Sequence, residues 1–244
     1  MATFKHLAPA TPLIAGIMLA SGLAMGAEGS SDYQANSYKT DNSNTRAHQS
    51  IASAIKGGSA KLDFRLRHEE VDIDSISEDE ARALTLRTRL NYTTGRYQGL
   101  GATLEMDNIT EIDGDNYPTS PALKNSGNFP GKAIIADPEG TEINQAYISY
   151  KQGETEGKYG RQRINLDNQR FIGGVGFRQN EQTYDAFSIA HRIAAADTKL
   201  YYAHVNNVNR IFGEDDPALS DTDSSTEILN INYSGFNAGD LVFY

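Results

Sequence analysis

The sequence predicts an all-β fold: an antiparallel, up-and-down transmembrane β-barrel, incomplete, with about eight or nine strands behind an N-terminal signal peptide. Three observations predict it. Apolar and polar residues alternate with a period of two in a series of short segments, which is the signature of a strand. The connections between those segments run long, short, long. Barrels whose short turns face the periplasm and whose long loops face outside show that order. The chain also opens with an export leader.

The leader is residues 1–27. Lys5 and His6 form a short basic start, Leu13 to Leu23 is an apolar run, and Ala24, Gly26 and Ala27 supply small residues for cleavage, Ala27 being favoured. The run is too short for a comfortable helical span of about 20 residues. Residues 28–57 form a polar lead-in. Its first part, 28–47, is rich in Ser, Asn, Asp and Thr, with few apolar groups to pack. His48 to Lys56 has the composition of a two-turn helix that Gly57-Gly58 would stop. The barrel part is 58–244.

Three segments carry the clearest alternation. In Lys61 to Arg67, Leu62, Phe64 and Leu66 share one face and Asp63, Arg65 and Arg67 the other. In Leu84 to Tyr92 the even positions are mostly apolar, and the odd ones are Thr85, Arg87, Arg89 and Asn91. In Leu100 to Asp107, Leu100, Ala102, Leu104 and Met106 oppose Thr103, Glu105 and Asp107. The first two are joined by an acidic segment, Val71 to Ala81, and the next two by a tight turn, Thr94 to Gly99. A long polar loop, Thr110 to Glu142, follows.

Further strands are expected at Ile143–Lys151, Glu156–Arg163, Gln182–Arg192, Thr198–Val208 and Thr226–Ser234, with Leu241–Tyr244 beginning another. The middle strands break parity, and the pattern leaves their faces unassigned. An acidic loop, Gly213 to Ser225, precedes Thr226.

Composition sets limits on the function. Mean hydropathy is −0.52, but alternating membrane strands average to such values. The absence of cysteine removes disulfide scaffolds and Cys-ligated metals. A net charge of −10 argues against a general nucleic-acid binder. Trp is absent, and 13 Tyr and 9 Phe supply the aromatic surface.

Two stretches carry a resemblance: Tyr159-Gly160-Arg161-Gln162, and Arg178-Gln179-Asn180-Glu181-Gln182-Thr183-Tyr184-Asp185. With the Arg65 and Arg67 strand, the Leu86-Arg87-Thr88-Arg89-Leu90 strand and Asn144-Gln145-Ala146-Tyr147, they occur in order over roughly residues 50–190. The chain resembles the alginate-export family of Gram-negative outer-membrane β-barrels. That resemblance implies a porin-like channel in the outer membrane, with lipid and lipopolysaccharide around it and varied solutes through it. Barrels need a closed, even set of strands. The strands here fall short of that, so a truncated member of a longer barrel is expected.

In a barrel, the apolar faces meet lipid and the ionic faces line water. Arg65 and Arg67 then lie near Arg87 and Arg89, which approach Glu105 and Asp107. Two readings remain open. Either the charges form a ladder that stiffens the wall, or surplus arginine makes a basic track for anionic small molecules or oligosaccharides. Arg161, Arg163, Arg170 and Arg178 would add to such a track. The segment Asn165 to Asn180 suits either an infolded constriction bearing Arg170 and Arg178 or a packed surface loop.

Other chemistry is weaker. Asp113, Asp115 and Asn116, and separately Asp215, Asp216, Asp221 and Asp223, lack EF-hand spacing and read as solvated acidic loops. No His-Glu-x-x-His or Gly-x-Ser-x-Gly occurs. A lipase would need His191 or His204 beside Ser188. The expected function is passive diffusion of small or oligomeric anionic solutes through an outer-membrane channel, with no enzyme activity and no cofactor. The alternatives are a secreted or periplasmic carbohydrate-binding β-sandwich and a non-conducting structural barrel.

Overall fold

The computed structural model describes residues 49–73 and 80–244, together with the backbone of Ala24–Met25. The rest of the leader, the 28–47 lead-in and the acidic residues Asp74, Glu78 and Asp79 lie outside the described residues.

Among the described residues one sheet holds every strand, ordered as in the sequence. Ala24–Met25 (β1) pairs in parallel with Lys61 and Leu62. Ser59–Val71 (β2), Ala81–Thr93 (β3), Leu100–Gly114 (β4) and Gly140–Gln152 (β5) follow, each antiparallel to the last. Thr155–Gln162 (β6), Thr183–Ile193 (β7), Thr198–Asn209 (β8), Asp221–Tyr233 (β9) and Leu241–Phe243 (β10) continue the meander. Among the described residues the sheet does not close: β10 pairs with β9, and β2 has the two-residue β1 on its far side. In lipid, unpaired edges cost several kcal/mol per orphan backbone group. A complete wall therefore needs further strands.

Strand boundaries exceed the expected ones. β2, β3 and β4 extend past the apolar alternation because their polar ends still complete the ladder. Thr110 to Gly114 and Gly140 to Glu142, expected as loop, are strand, as are Asp221 to Ser225. The broken parity of the middle strands has a concrete cause. Register shifts at Glu105/Met106, Asp185/Ala186 and Val205/Asn207 mark β-bulges, and each extra residue flips the faces beyond it.

The helix is shorter than expected, Ile51–Lys56 (α1). Ser50 caps it by accepting the Ser53 N–H at 3.1 Å, and Gly57 ends it. The Gly95 N–H donates to Ala54 O at 2.9 Å, which docks α1 at the short-turn end of the sheet.

The faces are inverted relative to a soluble sheet. Phe64, Leu66, Leu104, Met106, Ile148 and Tyr159 are exposed, whereas Arg87, Glu105 and Asp107 are buried. Two long connections cover the ionic side. Residues 115–139, which include the short helix Pro121–Lys124 (α2), pack Tyr117, Ala133 and Ile135 on Ala81 and Ala83. Residues 163–182 press Ile164 and Leu166 against Tyr184, Ala186, Tyr201, Ala203, Val205 and Ile228 of β7, β8 and β9. Both loops lie on the inner face.

Candidate functional site: an ionic inner wall clasped by two loops

Register builds the site. Arg89 faces Asp107 across β3 and β4, Asp63 faces Arg89, and Arg65 faces Arg87 across β2 and β3. Like charges opposite each other are destabilising unless compensated. Asp63 supplies one compensation, accepting from Arg87 Nη2 at 3.0 Å. The other comes from the 163–182 loop.

That loop delivers successive side chains of the Arg178–Thr183 motif to different parts of the wall. Arg178 donates to Glu69 at 2.9 Å. Gln179 Nε2 donates to Thr85 Oγ1 at 2.8 Å, and its Oε1 accepts from Arg65 Nε at 2.8 Å. Asn180 donates to Glu142 at 3.0 Å. Glu181 accepts from Arg89 Nη1 at 2.9 Å and Arg163 Nε at 2.6 Å, with Arg87 at 3.9 Å. Gln182 Nε2 donates to Tyr184 Oη at 2.8 Å.

Glu105 is the second hub. The bulge in β5 turns both Asn144 and Gln145 inward, and their amides donate to Glu105 Oε1 at 2.7 and 2.9 Å. Arg163 Nη2 adds a third donor at 2.8 Å. Arg67 pairs with Glu69 at 2.6 Å and with Asp137 of the 115–139 loop at 3.2 Å. Its guanidinium lies 4.0 Å from the Phe177 ring centroid.

Two loop carboxylates respond to this field in opposite ways. Burial pushes Glu181 up, but Arg163, Arg89 and Arg87 outweigh it and hold the carboxyl well below the usual range. Burial raises Asp137, and the Gln179 N–H and the Arg67 and Arg178 charges offset only part of that rise.

Of the two open readings, a charge ladder and a surplus-arginine track, these partners favour the ladder. Arg65, Arg67, Arg87, Arg89, Arg163 and Arg178 share the wall with Asp63, Glu69, Glu105, Asp107, Asp137 and Glu181. Among the described residues each of these cations has a carboxylate except Arg65, whose guanidinium meets Gln179 and the Gly176, Phe177 and Arg178 carbonyls. The remaining expected residues lie apart. Arg161 pairs with Asp185 at 3.0 Å and Glu214 at 3.2 Å, beside a cleft of about 190 Å³. Arg170 is exposed on the 163–182 loop and has no carboxylate partner among the described residues.

Parts of the two distant acidic clusters share one cleft, which Asp115, Asn116, Asp215 and Asp216 line with Tyr117 and Phe212, while Asp113, Asp221 and Asp223 lie outside it. No Ser–His pair forms among the lipase candidates. Ser188 Oγ donates to Gln162 on the buried side, whereas His191 meets Thr155 and His204 meets Glu227. Sequence reasoning missed Asp137 and the anchoring role of Gln179 and Glu181. The compact motif around them was the available signal.

Neither a protein-family model nor a curated protein matches this sequence. Solved porins share its structure. OccK9 (OpdG) of Pseudomonas aeruginosa superposes with a TM-score of 0.57 at 16% identity, over 77% of this chain and 49% of that one. OccD3 (OpdP) of the same species gives 0.54 at 16%, over 78% and 40%. A BenF-like porin from Pseudomonas fluorescens Pf-5 gives 0.50 at 13%, over 78% and 49%. The chain thus spans between 40% and 49% of the length of these porins. Its fold is that of part of an outer-membrane porin β-barrel wall.

Proposed function

We propose that this chain forms part of an outer-membrane, porin-like channel that passes small solutes by passive diffusion and catalyses no reaction. One observation carries the reading: the sheet exposes its apolar face and buries its ionic face under two infolded loops. A soluble β-sandwich would bury Phe64, Leu66, Leu104 and Ile148, which this sheet leaves on the outside. Bilayer lipid suits that face, and lipopolysaccharide suits its outer-leaflet end.

The likeness of the Arg178–Thr183 motif to the alginate-export family supports the same reading at finer grain. For the solute we retain a small or oligomeric anion, and narrow the attraction to two of the expected arginines. Arg87 and Arg89 brace the wall, because carboxylates match them. Arg65 and Arg170 are the two arginines of the expected track that have no carboxylate partner among the described residues, and they are the ones we assign to drawing an anion.

The test is heat-modifiable migration from detergent-extracted outer membranes, followed by conductance in planar bilayers. Recovery as a soluble periplasmic protein excludes the channel. Flat conductance from a correctly inserted barrel leaves the non-conducting structural barrel as the reading. Arg65→Gln with Arg170→Gln is expected to lower anion-over-cation selectivity. The charge-neutral pair Arg89→Gln with Asp107→Asn is expected to leave it unchanged.

A further inference from the structure

The 163–182 loop holds three non-glycine residues in the left-handed region: Asp167 at φ 49°, Gln169 at φ 59° and Val175 at φ 51°. For β-branched Val175 this conformation persists only where surrounding contacts over-determine it. Gln179, four residues further along, ties this loop to the wall. It is fully buried, a neutral amide among ions. Its Nε2 donates to Thr85 Oγ1, Thr85 O at 3.1 Å and Arg65 O at 3.2 Å, while its Oε1 accepts from Arg65 Nε. The side chain therefore reaches β2 and β3 together. Its main-chain N–H donates to Asp137 Oδ1 at 2.8 Å, in the other infolded loop. Asp137 is 1% exposed and also takes Arg67 Nε through Oδ2.

We propose that Gln179 couples the two infolded loops into a single gate, so that neither leaves the wall without the other. Gln179 acts as a positioning residue. It fixes Asp137, and Asp137 holds the end of a segment whose Ala133 and Ile135 are packed on β3. The consequence for conduction rests on the channel reading; the coupling does not, because it can be read from accessibility alone.

The chain contains no cysteine, so one introduced thiol reports cleanly. Ala133→Cys places that thiol at a buried site in the 115–139 loop, and Ile172→Cys places one in the 163–182 loop. In membrane-embedded protein, Gln179→Ala is expected to raise maleimide labelling at both positions by about tenfold or more, as local opening does. Thr85→Val, which removes one acceptor and leaves Asp137 untouched, is expected to raise both by a smaller factor. It serves if Gln179→Ala fails to assemble. Faster labelling at Ile172→Cys alone overturns the coupling, and unchanged labelling at both overturns Gln179 as the tether. Conductance of the parent protein, measured in parallel, tests the channel reading separately.

Discussion

Arg89 grips Asp107 with two parallel bonds, Nε to Oδ1 at 2.7 Å and Nη2 to Oδ2 at 2.6 Å, between register partners on β3 and β4. The fork matches the carboxylate geometry, and Asp107 is only 1% exposed. Removing one partner strands a buried charge. Arg89→Ala is therefore expected to destabilise the assembled barrel by about 3–5 kcal/mol. Urea unfolding of the detergent-folded protein measures it, and a loss within error of zero would count against the bracing role.

Acid should loosen the 163–182 loop, with the sign set by Glu181. Its folded value is depressed, so its contribution is present above the ordinary carboxylate range, near 4.3. That contribution is lost as pH falls toward the folded value. Asp137 works in reverse: its raised value means a contribution present below about 3.9 that is lost as pH rises through the folded value. Melting of the heat-modifiable form between about pH 3 and 7 should thus flatten in Glu181→Gln and steepen in Asp137→Asn. The same slope in all three proteins would remove both carboxylates from the account.

The outer face carries a separate prediction. Leu104 is 44% exposed, the fifth residue of β4. If that face meets acyl chains, Leu104→Arg is destabilising, by up to about 2–4 kcal/mol depending on its depth in the bilayer. Assembly into outer membranes should fall accordingly, whereas Leu104→Phe should assemble as the parent does.

Gly160 is required where β6 meets β5. Its φ is +123°, and a Cβ there would stand 2.4 Å from Ala146 O. Gly160→Ala is expected to cost about 1–3 kcal/mol through backbone strain, and more if the ladder shifts. Loss of heat-modifiable folded band at lower temperature is the readout.

Much of the fold was legible because period two is a local property. Leu62, Phe64 and Leu66 against Asp63, Arg65 and Arg67 established β2 and its two faces from neighbouring residues alone, whereas which face turns outward needed the barrel reading. Parity failed at Asn144, Gln145 and Asn206 because a bulge leaves no mark in composition. The extra residue is defined by the partner strand, and the partner is not local. The ladder between Arg89 and Asp107 could be anticipated from two adjacent strands joined by a six-residue turn.

The sequence by itself determined the alternating strands, the short and long connections, and the arginine and carboxylate content of one face. Only the tertiary structure decided what neutralises that face. Glu181 lies 92 residues from Arg89, and Gln179 lies 114 from Arg65. Charges pair through space over a few ångströms, and a loop that folds back through the sheet interior sets those distances. Along the chain the arginines read either as a ladder or as a surplus, and the folded loop brings Glu181 to the arginines of the wall.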